Sequence, residues 1–87
     1  MKELTLFYLE SCPYCKRARQ YLDELRQENP SYAAIPLTMI EEREQRQLAD
    51  QYDYFYVPTF YIGDKKVAEG SIDKQGVRQV LDMALEA

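Results

Sequence analysis

Apolar residues cluster near the start of the chain and then recur at helical spacing. Residues Leu4 to Leu9 form an almost continuous apolar segment, which is typical of a strand covered on both faces of a sheet. Pro13 is a favourable first helical residue, and the pattern after it predicts a helix that runs to about Gln27. The apolar face of this helix has the spacing i, i+3, i+4, i+7 and consists of Ala18, Tyr21, Leu22 and Leu25. Asn29 and Pro30 are expected to end it.

A second strand and a second helix are predicted in the middle of the chain. Alternating residues from Ile35 to Ile40 indicate a strand. Because Pro36 cannot donate a hydrogen bond to a neighbouring strand, this strand is expected at an edge of the sheet. The charged run from Glu41 to Arg46 leads into a short, weakly amphipathic helix whose apolar residues are Leu48, Ala49 and Tyr52.

The last third of the chain predicts a hairpin followed by a helix. Strands are expected over Thr59 to Ile62 and over Lys66 to Glu69, joined by a turn at Gly63-Asp64. The final helix follows Gly70 and has Ser71 or Asp73 as its N-cap. Its apolar stripe consists of Val77, Val80, Leu81, Ala84 and Leu85.

The predicted element order is β-α-β-α-β-β-α. The first three elements suit a right-handed βαβ unit with parallel strands, and the hairpin adds two antiparallel strands. The expected fold class is therefore α/β, with a four-stranded mixed sheet flanked by three helices. A chain of 87 residues suits a single domain, here residues 1–87.

Composition and charge narrow the range of partners and compartments. Hydrophobic residues make up 46% and charged residues 30%, a balance typical of a globular domain. The net charge of −4 argues against nucleic acid as a partner, since phosphate binding needs a basic surface. No apolar run approaches the ~20 residues of a membrane span, and the first residues do not resemble a signal peptide, so we expect a cytoplasmic protein without a membrane partner. Cysteine pairs in the cytosol tend to be catalytic or metal-binding.

The strongest chemical signal is the cysteine pair at the junction of the first strand and helix. Cys12 directly precedes Pro13, which makes Cys12 the predicted N-cap and Cys15 the third helical residue. A thiolate at Cys12 is then favoured by the amides of Tyr14 or Cys15 and by the helix dipole. Lys16 adds positive potential in the same turn. Such placements lower a thiol pKa from about 8.5 to about 3.5–7.5.

This placement assigns different roles to the two cysteines. Cys12 is the predicted nucleophile that forms a mixed disulfide, and Cys15 is the resolving thiol that closes a redox-active Cys12–Cys15 disulfide. Pro13 and Tyr14 lie between them and are expected to tune the reduction potential. A structural disulfide is a weaker interpretation, because so short a loop constrains the unfolded chain little. A zinc site within the chain is also weaker, because two Cys and no His would have to be completed by carboxylates.

The segment Cys12-Pro13-Tyr14-Cys15 resembles the dithiol active site of glutaredoxins, and the element order is similar to the minimal thioredoxin fold. Val57-Pro58-Thr59 also matches a motif of the thioredoxin superfamily. The resemblance implies that Pro58 is cis and faces the cysteine pair, and that the backbone of Val57 pairs with a substrate strand. It further implies a thiol–disulfide oxidoreductase that acts on disulfide-containing proteins, holds no bound cofactor and is a monomer.

Several positions depart from the glutaredoxin pattern at the residues that would hold glutathione. Glu10 and Ser11 stand where many glutaredoxins have a basic residue, Tyr56 stands in place of Thr, and Glu69-Gly70-Ser71 replaces a Gly-Gly sequence. The chain also lacks the Trp-Cys-Gly-Pro-Cys core of thioredoxins. The expected reductant is therefore either a thioredoxin-reductase-like enzyme or glutathione as a co-substrate.

Two other functions use the same residues. The thiolates of a dimer would suit a metal-binding or iron–sulfur-binding module, and an adaptor would bind extended peptides along the Val57 edge without turnover. Tyr54, Phe55 and Tyr56 are expected to line a hydrophobic surface beside Cys12, with at least one of the three in the core. Tyr14 is expected to be partly exposed and to contact substrate.

Overall fold

The central feature of the molecule is a four-stranded mixed sheet. A computed structural model describes residues 1–87, with strands β1 (Leu4–Tyr8), β2 (Leu37–Glu41), β3 (Thr59–Ile62) and β4 (Lys65–Glu69). The strand order is β2-β1-β3-β4, in which β1 is parallel to β2 and antiparallel to β3, and β3 is antiparallel to β4. The predicted α/β class and mixed sheet are confirmed, as is the position of β2 at an edge.

The structure has four helices where the sequence predicts three. They are α1 (Pro13–Glu28), α2 (Pro30–Ala33), α3 (Arg46–Ala49) and α4 (Lys74–Glu86). Helices α1 and α4 match the predictions closely, and Asp73 is the N-cap of α4, with its carboxylate accepting a hydrogen bond from the Gly76 amide at 2.7 Å. No helix combines the length and apolar character that a membrane crossing requires.

The additional helix α2 begins where α1 was expected to end. Asn29 terminates α1, but its side chain also accepts a hydrogen bond from the Ser31 amide at 2.9 Å and so caps the next helix. Proline cannot continue a helix but is well suited to begin one. Pro30 therefore follows the end of α1 and is the first residue of α2. The Arg26 guanidinium then binds carbonyls at the end of α2, namely those of Tyr32, Ala33 and Ile35.

The helix after the second strand is short, as predicted, but it does not reach Tyr52. Strand β2 begins at Leu37 rather than Ile35 and includes Glu41, and α3 is a single turn that ends before Tyr52. The Glu41 carboxylate accepts hydrogen bonds from the amides of Arg43 and Glu44 at 2.6 and 3.1 Å. Side chains that bond to nearby amides compete with helix formation, so the charged run forms turns instead.

The main core lies between one face of the sheet and the helices α1, α2 and α4. Strand side chains alternate between faces, and Leu4 and Leu6 point to this side. The cluster is completed by ten further buried residues: Leu22, Leu25, Tyr32, Ile35, Phe60, Ile62, Val77, Val80, Leu81 and Ala84. The predicted apolar faces of both long helices are thus buried together.

A second, aromatic cluster covers the other face of the sheet. The Phe7 ring lies at its centre, with centroid distances of 4.6, 5.0 and 5.7 Å to the rings of Tyr52, Tyr54 and Tyr61. The Tyr61 hydroxyl donates to the Asp53 carbonyl at 2.6 Å and accepts a hydrogen bond from the Asp53 amide at 3.1 Å. This cluster therefore anchors the segment that leads from α3 to β3.

The two ends of the described chain lie next to each other. The Lys2 amide donates to the Ala84 carbonyl at 3.4 Å, which joins the start of β1 to the end of α4. The loop that carries Cys12 leaves the opposite end of β1.

Candidate active site

Cys12 occupies the N-cap of α1, as the sequence predicts. Its backbone is extended, with φ −85° and ψ 122°, and its carbonyl accepts the first helical hydrogen bond from the Lys16 amide at 3.0 Å. The Cys12 amide donates to the Leu9 carbonyl at 3.1 Å and closes a tight turn after β1. The side chain is half-buried, so the sulfur is accessible to a partner.

Cys15 lies one turn into the helix and is fully buried. Its Sγ accepts a hydrogen bond from the Leu9 amide at 3.4 Å, which connects the helix to the same turn. Both cysteines are free thiols, and the two sulfurs lie close enough that each shifts the pKa of the other. The predicted catalytic pair is thus brought together in one site.

The environment of Cys12 favours the thiolate. Burial acts to raise the pKa of Cys12, but the Cys15 amide, the Cys15 thiol and the Tyr14 amide outweigh it, so the pKa is lowered. The sulfur makes no capping hydrogen bond of ordinary geometry in the structure, which differs from the predicted cap. The amides therefore act on the thiolate mainly through the orientation of their N–H dipoles.

Cys15 has the opposite electrostatic environment. Burial, together with the neighbouring Cys12 sulfur, raises the pKa of Cys15 to about 11, although the Leu9 amide and Arg19 act in the other direction. At neutral pH the pair therefore consists of a reactive sulfur at Cys12 and a protonated thiol at Cys15. A protonated Cys15 is able to donate a hydrogen bond to the Cys12 thiolate.

This asymmetry predicts selective alkylation. When the reduced protein is treated with iodoacetamide near pH 7, we expect a single adduct at Cys12, located by peptide mass spectrometry. The rate of alkylation should rise with pH and reach half its maximum below the value of about 8.5 for an ordinary thiol, because the pKa of Cys12 is lowered. Equal labelling of both cysteines, or a midpoint above that of a free cysteine peptide, would contradict the assigned roles.

A carboxylate that was not singled out from the sequence supports the loop before Cys12. Glu41, at the end of β2, accepts a hydrogen bond from the Glu10 amide at 2.9 Å in addition to those from its own turn. The Glu10 amide, followed by the Glu44 and Arg43 amides, lowers the pKa of Glu41 despite its burial. The carboxyl ends of the parallel strands β1 and β2 lie at the same edge of the sheet. An acidic residue at the end of β2 was therefore the sequence signal for a contact with the loop after β1.

An acidic recess lies next to Cys12 on this side. Its lining consists of Glu10, Ser11, Glu41, Arg43 and Glu44. Three carboxylates against one guanidinium give this side of the site a negative balance of charge.

Basic residues follow Cys12 along α1. Lys16 is exposed, and its support of the thiolate stays a prediction. The Arg17 guanidinium lies 5.7 Å from the centroid of the Tyr14 ring, and Tyr14 itself is 53% exposed, as expected. Arg19, one turn after Cys15, stacks on Tyr8 at 4.6 Å.

Val57 and Pro58 lie at the end of β1 from which the cysteine loop leaves. Thr59 pairs with Phe7, which places Pro58 at the level of Tyr8. The Val57–Pro58 peptide bond is cis, Pro58 is buried, and its carbonyl accepts from the Gly70 amide at 2.8 Å. The amide and carbonyl of Val57 make no hydrogen bond within the chain.

The three aromatic residues before Val57 divide between core and surface. Tyr54 packs on Phe7, and its hydroxyl donates to Glu42 at 2.7 Å, which confirms that at least one of them is a core residue. Phe55 and Tyr56 are exposed, at 84% and 70%. The Glu69 carboxylate accepts hydrogen bonds from the amides of both.

The structure also bears on metal binding. It brings together no group of three or more His, Cys, Asp or Glu side chains that would hold a metal ion.

Most of the chain matches the model of a known protein family. The family model described as Glutaredoxin matches residues 4–67, a segment that contains both cysteines and the Val57-Pro58 pair. No sequence among the curated proteins matches the chain.

Solved structures similar to the chain include several thioredoxins. A thioredoxin variant from Halobacterium salinarum superimposes with a TM-score of 0.70 and 22% identity, covering 97% of this chain and 74% of the other. The thioredoxin of Malassezia sympodialis has a TM-score of 0.74 and 16% identity, with 94% and 73% covered. Oxidised thioredoxin from Plasmodium falciparum has a TM-score of 0.69 and 19% identity, with 94% and 81% covered. These similarities show that the fold is the thioredoxin fold.

Proposed function

Since this chain belongs to the glutaredoxin family, within the thioredoxin superfamily of small oxidoreductases, we propose that it reduces protein disulfides by dithiol exchange. The observation that carries the proposal is the asymmetry of the cysteine pair. The pKa of Cys12 is lowered at an accessible N-cap, whereas the pKa of Cys15 is raised at a buried position. A nucleophile and a resolving thiol need these two environments.

The first step joins the enzyme to its substrate. The Cys12 thiolate attacks one sulfur of the substrate disulfide, forming a Cys12–substrate bond as the substrate S–S bond breaks. The second substrate sulfur leaves as a thiolate and takes up a proton. Half exposure of Cys12 permits this approach, whereas the buried Cys15 is protected from the substrate.

The second step releases the substrate. Cys15 loses its proton and attacks the Cys12 sulfur, so the Cys12–Cys15 disulfide forms and the remaining substrate thiol departs. The enzyme, which began with a Cys12 thiolate and a protonated Cys15, has then lost two electrons and one proton. The substrate has gained two electrons and two protons, the second proton coming from the solvent. Loss of the negative Cys12 thiolate in the first step removes one of the groups that keep the Cys15 pKa high, which favours the second step.

The substrate is proposed to pair with the backbone of Val57. The amide and carbonyl of this residue are free, and Val57 precedes Pro58 at the same end of β1 as the cysteine loop. An extended segment that bonds to these groups would form a short additional strand beside the site. Its disulfide would then lie near Cys12.

The electron donor is proposed to be a protein reductase rather than glutathione. The recess beside Cys12 carries three carboxylates, and the carboxylates of glutathione would be repelled there. Glu69 belongs to the segment that replaces the Gly-Gly sequence of glutaredoxins. Its carboxylate is already bonded to the amides of Phe55 and Tyr56, in the loop before Val57.

The test is insulin reduction with the two donor systems compared under the same conditions. We expect turnover with a thioredoxin-reductase system and NADPH, and much slower turnover with glutathione, glutathione reductase and NADPH. Rapid turnover with glutathione alone would overturn the choice of donor. The proposed function would be overturned if the protein did not accelerate insulin reduction with either donor system, and did not raise the rate with dithiothreitol above that of dithiothreitol alone.

A further inference from the structure

Two neighbouring aromatic side chains are exposed beside the substrate edge. Phe55 and Tyr56 are 84% and 70% exposed, although aromatic rings usually bury most of their surface. They directly precede Val57, whose free backbone groups are the proposed pairing site. We call Phe55 and Tyr56 the aromatic pair.

The backbone of the aromatic pair is held by residues of the following hairpin. The Glu69 carboxylate accepts from both amides of the pair, and the Thr59 hydroxyl donates to the Tyr56 carbonyl. Lys66 forms an ion pair with the second Glu69 oxygen at 2.8 Å. These backbone groups are therefore occupied, and only the side chains of the pair remain available to a partner.

The charge of this region favours an apolar occupant. The Glu69 carboxylate is neutralised by Lys66 and by two amide donors, and Lys66 with these amides lowers the pKa of Glu69 to about 2, so that it stays ionised over any working pH. Neither ring carries a charge. An exposed apolar patch with its backbone already satisfied is typical of a contact surface for another protein.

Geometry links the aromatic pair to the substrate strand. Phe55 and Tyr56 directly precede Val57 in the chain, so a segment that pairs with Val57 has its flanking residues beside the aromatic pair. A small disulfide has no residues to reach them. We propose that the aromatic pair docks an apolar segment flanking the disulfide of a protein substrate, and that Glu69 is the positioning residue that presents the pair.

This inference rests on the proposed function and is tested by comparing two substrates. With dithiothreitol as the reductant, kcat and KM are measured for insulin and for bis(2-hydroxyethyl) disulfide. The variants are Phe55→Ala/Tyr56→Ala and Glu69→Ala. Lys66→Gln is the control for Glu69, since it removes the ion pair and keeps both amide bonds. Met83→Ala, an exposed apolar residue of α4, is the control for the aromatic pair.

The expected result is a selective loss on the protein substrate. Phe55→Ala/Tyr56→Ala should lower kcat/KM for insulin about tenfold through KM, with less than a twofold change for the small disulfide. Glu69→Ala should also lower kcat/KM for insulin but not for the small disulfide, by a smaller factor, although both rings are still present. Lys66→Gln and Met83→Ala should resemble the wild type on both substrates.

Other outcomes overturn the inference. Unchanged insulin kinetics in the double variant would show that the pair does not dock the substrate. An equal loss on both substrates would show an effect on the chemistry or the fold instead. If the wild type reduces the small disulfide but not insulin, protein disulfide reduction itself fails, and the docking surface fails with it.

Discussion

Replacement of Cys12 by Ser is expected to abolish disulfide reduction, whereas replacement of Cys15 by Ser stops the reaction halfway. A serine hydroxyl is not ionised at neutral pH, so Cys12→Ser leaves only the Cys15 thiol, which is buried and whose pKa is raised by that burial. Cys15→Ser keeps the reactive sulfur but removes the group that resolves the mixed disulfide. Insulin turnover should fall to the uncatalysed background in Cys12→Ser.

The trapped intermediate provides the measurement. Cys15→Ser, mixed with an oxidised protein substrate, should form an adduct whose intact mass equals the sum of the two components. Dithiothreitol should release it. Cys12→Ser is the matched control and should form no adduct. An adduct with Cys12→Ser, or none with Cys15→Ser, would reverse the assigned roles.

Replacement of Phe7 by Ala is expected to have the largest effect on stability. Phe7 is fully buried at the centre of the aromatic cluster. Removal of a buried Phe side chain lowers the free energy of unfolding by about 3–5 kcal/mol. A chain of this length typically has about 4–13 kcal/mol in total, so the replacement should remove between about a quarter of this stability and all of it.

Urea denaturation followed by circular dichroism measures this loss. The matched control is Phe55→Ala, which removes the same side chain from an 84% exposed position. Its free energy of unfolding should stay within about 0.5 kcal/mol of the wild type. Similar losses for the two variants would contradict the packing described for the two rings.

The parts of the fold that follow from local patterns were predictable. Strand β1, helices α1 and α4 and strand β3 all combine apolar periodicity with a clear N-cap, proline or glycine signal. The cysteine site was predictable for the same reason, because Cys12 and Pro13 mark a helix start directly after a strand. The cap itself differs, since the Cys12 sulfur makes no ordinary hydrogen bond to the helix amides.

Two of the features that were missed depend on contacts between residues far apart in the chain. Glu41 bonds to the Glu10 amide, 31 residues away, and Glu69 bonds to the amides of Phe55 and Tyr56, 14 and 13 residues away. Local sequence patterns do not reveal such pairings, because a carboxylate in a charged segment is normally interpreted as solvent-exposed. The shortness of α3 has a local origin instead, since the Glu41 carboxylate bonds to the amides of the turn that directly follows it.

The contact between Lys2 and Ala84 has a practical consequence for protein engineering. The start of β1 and the end of α4 lie together, while Cys12 follows the far end of β1. A short flexible linker between the two ends would suffice to circularise the chain or to arrange copies in tandem. A bead or electrode attached at either end would leave the reactive sulfur facing the solution.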